Sequence, residues 1–107
     1  MLLDDGDDVA SPGVAGALAV LAGIAASDVA CCARLGERAR GQAHDEAVGL
    51  LATVEPGGPA MAKDLKRLLD RKDAAQYGMA FLGAGEAEKL VGWARRLLAS
   101  ARKAVEA

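Results

Sequence analysis

The sequence predicts an all-α domain, an up-and-down bundle of about four helices. Three observations carry that expectation. Hydrophobic residues make up 52% of the chain but aromatic residues only 3%, so the apolar mass is mostly Ala, Leu and Val, which suits close helix packing rather than a sheet. Long segments repeat their apolar residues at alternating spacings of three and four. Clusters of glycine and proline separate those segments. At 107 residues the chain is sized for one core, since domains run roughly 100–150 residues.

Residues 1–11 are expected to form a flexible acidic tail, because Asp4, Asp5, Asp7 and Asp8 leave too little apolar surface to offset the cost of ordering. The bundle then occupies 12–107. Ser11 is a natural N-cap and Pro12 a natural first helical residue, so a helix is predicted from Pro12 to about Arg34. Along it Val14, Leu18, Leu21, Ala25, Asp28, Cys32 and Leu35 form a stripe expected to pack inward. Its Ala/Gly faces (Ala15, Gly16, Ala19, Ala22, Gly23, Ala26) permit close helix approach and leave more apolar surface than one small bundle covers. That surplus predicts a homodimer or a partner protein. Between Val14 and Ala33 the one formal charge is Asp28. A central Asp costs roughly 2.5–3.5 kcal/mol in a membrane, so the segment reads as a buried helix and no membrane is expected.

Gly36 to Gly41, with Glu37, Arg38 and Arg40 between the glycines, reads as a charged connection. A second helix is predicted from about Ala43 to Val54, with His44, Ala47, Val48 and Leu51 on one face, stopped by Glu55-Pro56-Gly57-Gly58-Pro59. The third runs from about Pro59 to Arg71. It is expected to turn Met61, Leu65, Leu68 and Leu69 inward and Lys63, Asp64, Lys66, Arg67 and Asp70 outward, Lys66 pairing with Asp70. Gly78, Gly83 and Gly85 break any long period in 72–85. From Glu86 to about Val105 the stripe Ala87, Leu90, Val91, Ala94, Leu97, Leu98, Ala101 and Val105 defines the last helix.

Several chemistries are missing from this pattern. The chain has no GxxxxGK[ST] phosphate loop and no GxSxG elbow, and its one histidine excludes a multi-histidine metal site within a protomer. Cys31 and Cys32 are adjacent, without CxxC spacing, and read as small core or interface residues in a reducing compartment. Neither a metal nor a cofactor is expected. The acidic opening lacks the basic n-region of a signal peptide, which points to the cytoplasm. The net charge is −2, yet from Val9 onward eleven acids face thirteen bases. Arg34, Arg38, Arg40, Lys63, Lys66, Arg67, Arg71 and Lys72 are the best electrostatic footprint for RNA or a nucleotide, or else an ordinary solvated face. Tyr77 either stacks on a base or plugs the bundle end. Asp28, a carboxylate in an apolar stripe, needs a partner, and Arg38 or Arg71 is expected to supply it, as a structural ion pair or to orient the arginine toward a ligand.

The order of features resembles the HEPN (higher eukaryotes and prokaryotes nucleotide-binding) superfamily. The matching pieces are the apolar first helix bearing Ser27-Asp28, then Gly41-Gln42-Ala43-His44-Asp45 leading to Leu50-Leu51, then Arg71-Lys72-Asp73-Ala74-Ala75-Gln76-Tyr77, and Ala84-Gly85-Glu86-Ala87-Glu88 opening the last helix. The resemblance implies a four-helix bundle that commonly dimerises and binds nucleotide or RNA, as in bacterial-type regulatory or toxin-like systems. Many members are metal-independent ribonucleases using an arginine and a histidine separated by four to six residues. Arg38 and His44, five residues between them, are similar in spacing and are the candidate catalytic pair. Arg34, Arg40, Arg71 and Tyr77 are the candidate nucleotide or RNA contacts, supported by Asp28. His44 also resembles the histidine that opens the second helix in non-nuclease members, so a non-catalytic interaction bundle stands beside the enzyme. In a nuclease, imidazole would move the proton of a ribose 2′-hydroxyl and guanidinium would stabilise charge on the phosphate.

Overall fold

The structure, a computed structural model, describes residues 12–39, 44–75 and 83–107. The expected acidic tail, Arg40 and Tyr77 lie outside the described residues. Four helices are present among those described: α1 (Pro12–Leu35), α2 (His44–Ala52), α3 (Gly58–Ala75) and α4 (Ala84–Glu106). They pack as an all-α bundle. Arg34, in the last turn of α1, donates to the carbonyl oxygen of Glu55 (3.0 Å), just before α3, and to Ala107 O (3.4 Å), just after α4. Arg71, late in α3, pairs with Glu86 in the first turn of α4. The long helices therefore alternate: α3 runs against both α1 and α4, and these two point the same way.

The core is built from unequal contributions. Large side chains come from Leu51 and Val54, from Met61, Leu65 and Leu68 on α3, and from Leu90 and Leu97 on α4. The first helix supplies mostly small ones: Ala19, Val20, Ala26, Ser27, Ala30 and Cys31 are buried, with Gly16 and Gly23 on the same side. At Gly23 an added Cβ would stand 2.4 Å from Leu68 Cδ1 and 3.5 Å from Leu97 Cδ2, so the leucines of α3 and α4 fill the room that side chains on α1 would take.

That division overturns two expectations about α1. The stripe through Val14, Leu18, Leu21 and Ala25 faces outward, and Cys32 with it, because leucines there cannot fit where α1 meets α3 and α4. Conversely, Gly16, Ala19, Gly23 and Ala26, expected to offer a surplus face, are consumed within the bundle. The surplus exists on the opposite side. In length and composition Gly13–Leu35 suffices to cross a membrane, yet 44% of its most apolar window is buried in the bundle.

Other departures are local. Asp64, expected outward, is buried, since it falls beside Met61, Leu65 and Leu68 on the inward side of α3. Leu98 and Val105, expected inward, are exposed, since Ala94, Leu97, Ala101 and Ala104 complete the contact of α4 with the core. The third helix also continues past Arg71 to Ala75. Lys66 and Asp70 pair as expected, at 3.2 Å.

Candidate functional site

Gly36 ends α1 in the left-handed conformation (φ 74°), its N–H donating to Cys32 O at 3.1 Å. Glycine adopts this at no steric cost. The chain then turns back, and Arg38 Nη1 comes to 3.6 Å from the Asp28 carboxylate. This is one of the two partners expected for Asp28. Arg71, the other, is held by Glu86 instead.

Alongside Arg38 runs an open groove of about 550 Å³, walled by Glu37, Arg38 and Ala39 on one side and Asp45, Glu46, Gly49, Leu50 and Thr53 on the other. Among the described residues three carboxylates and one guanidinium line it, and these carboxylates oppose the entry of a phosphate. His44, half-buried at the start of α2, is not among the described residues that line this groove. Arg34 is engaged by backbone oxygens at the same end of the bundle, whereas Arg71 lies toward the far end of α3. The site residues predicted from sequence are therefore brought together in part: Asp28 meets Arg38, with Arg34 nearby, and Arg71 stands apart. Among the described residues no group of three or more His, Cys, Asp or Glu is arranged to hold a metal ion.

A second surface has a different character. Val14, Leu18, Leu21 and Val29 on α1, with Leu98 and Val105 on α4, are 45–62% exposed. Val29, Leu98 and Val105 share a shallow apolar groove of about 300 Å³ between the two helices, floored by Ala26 and Ala101 and edged by Arg102 and Glu106. These two edge residues pair at 3.4 Å. Sequence reasoning placed five of these six large side chains in packed stripes facing the core and left Val29 unremarked. The signal available was that α1 is apolar on both sides, so one side had to remain outside a bundle of this size.

The buried Asp64 was also missed as an anchor. It receives Arg96 Nη2 at 3.0 Å and Arg67 Nη1 at 3.4 Å, and the Arg67 guanidinium lies 5.8 Å from the Trp93 ring centroid. This cluster ties α3 to α4. The chain matches no protein-family model, and no curated protein or solved structure is significantly similar to it.

Proposed function

We propose that this protein is a non-catalytic interaction module, a helical bundle that pairs with a second copy of itself through the outward face of α1 and the adjoining flank of α4. The observation that carries the reading is the run of six large aliphatic side chains exposed along those two helices. Together they offer on the order of 500 Å² of apolar surface, at the upper end for a soluble monomer and most of the roughly 800 Å² that each partner of a stable complex buries. The charges at its edges favour self-pairing. Both signs are present there, Asp28 with Arg38 on one edge and Glu106 with Arg102 and the exposed Arg95 on the other, so a second copy can set acid against base across the seam.

Sedimentation velocity at micromolar concentration tests this, and a dimer is expected. A monomer overturns the reading; one that also floats with phosphatidylcholine vesicles assigns the face to a membrane instead.

A second reading, the nucleotide or RNA binding that a HEPN-like bundle implies, draws on Arg38. Its side chain is exposed at the edge of the groove and meets Asp28 only at 3.6 Å, free to turn toward an anion. Glu37, Asp45 and Glu46 weigh against it. Salt-sensitive binding of a labelled RNA that weakens with Arg38→Ala would favour this reading. For the ribonuclease form, the expected outcome is no cleavage above background; cleavage abolished by His44→Ala in a folded protein would establish the Arg38–His44 pair, since a general acid–base residue contributes about 10²–10⁴-fold.

A further inference from the structure

The outward stripe of α1 has a symmetry of its own. Leu18, Leu21, Ala25, Val29 and Cys32 are all exposed and follow one another at spacings of three, four, four and three. The pattern reads the same in both directions from Ala25. A two-fold axis passing beside Ala25, perpendicular to the helix, therefore sets Leu21 level with the partner's Val29 and Leu18 level with the partner's Cys32.

Resting on the pairing proposed above, we infer that the two α1 helices cross antiparallel at Ala25, each Leu21 packing beside the other copy's Val29. Size complementarity supports this arrangement. Leu21, the most exposed large side chain on the face, meets the smaller Val29. Leu18, large, lies opposite Cys32, small. Ala25 beside the axis lets the helices approach to about 8–10 Å. A parallel pairing would instead set Leu21 against Leu21 and Cys32 against Cys32, matching large with large and small with small.

Two sets of variants test the arrangement. With Cys32→Ser as background, Ala25→Cys is expected to form a covalent dimer under mild oxidation, because the new thiols flank the axis. Wild type is not expected to cross-link through Cys32, since antiparallel crossing at Ala25 separates the two copies of that residue by about 20 Å along the helix. Leu21→Glu and Val29→Lys should each raise the dimer dissociation constant at least tenfold. Combined in one chain they should recover most of the loss, because carboxylate and ammonium then face each other twice across the axis. Circular dichroism checks that each variant keeps its helices, as both positions are exposed. Cross-linking of wild type through Cys32, or no recovery in the double variant, overturns the antiparallel arrangement while a wild-type dimer leaves the pairing itself standing. A wild-type monomer overturns both.

Discussion

Asp64 is a nearly buried carboxylate whose two arginines are largely in water, with side chains 46% and 61% exposed. Each bridge alone resembles a surface pair and contributes little, but the carboxylate needs one of them to offset its own desolvation. Arg67→Ala and Arg96→Ala are each expected to cost about 0.5–1 kcal/mol in urea denaturation, and the double variant about 2–3 kcal/mol, since it strands the buried charge. Strict additivity would show that water reaches Asp64. The neighbouring cysteines differ in the same way. Burial pushes the Cys31 thiol up, only partly opposed by its hydrogen bond with Ser27, and the charges of Asp28, Cys32 and Glu37 add to the rise. Its thiolate stays scarce at neutral and mildly alkaline pH. Iodoacetamide should therefore leave Cys31 unmodified until the protein unfolds, while exposed Cys32 reacts in a monomeric variant such as Leu21→Glu and is shielded in the dimer.

At the scale of elements, the junction between α2 and α3 is the tightest point. Gly58 donates its N–H to Val54 O at 2.9 Å, and an added Cβ would lie 2.7 Å from the carbonyl oxygens of both Leu51 and Ala52. Backbone atoms cannot swing aside as a side chain can, so Gly58→Ala should lower stability by about 2 kcal/mol or more, despite alanine's higher helix propensity. A stability unchanged in urea would mean that the hairpin relaxes freely. The elements themselves were legible in the sequence, because Ser11-Pro12, Gly36 and the Pro56–Pro59 cluster punctuate the helical periods. The inward side of α1 was not, since periodicity finds two apolar stripes and cannot choose between them. Volume chooses: the leucines of α3 and α4 leave space only for the Ala/Gly side. The Asp28–Arg38 pair was legible because a carboxylate among apolar residues demands a partner. The acidic lining of the groove beside Arg38 was not, because it depends on how the turn after Gly36 folds back onto α2.

For the whole molecule, the described residues span 41 × 27 × 21 Å, and α1, with 24 residues at 1.5 Å each, runs nearly the full length. One of its sides completes the core while the other forms a long apolar edge. In the proposed pairing a second copy covers that edge, and the gain should appear in thermal stability as mass action. Association that accompanies the folded state alone makes the melting temperature depend on concentration. For two chains of this size melting together, the unfolding enthalpy implies a rise of about 3 °C for each tenfold increase in protein. Wild type is expected to show that slope between micromolar and hundred-micromolar concentration. Leu21→Glu, changed only on the outward stripe, should melt at one temperature throughout. A flat wild-type profile, coincident with that of the variant, would mean that each bundle stands alone with its apolar edge in water.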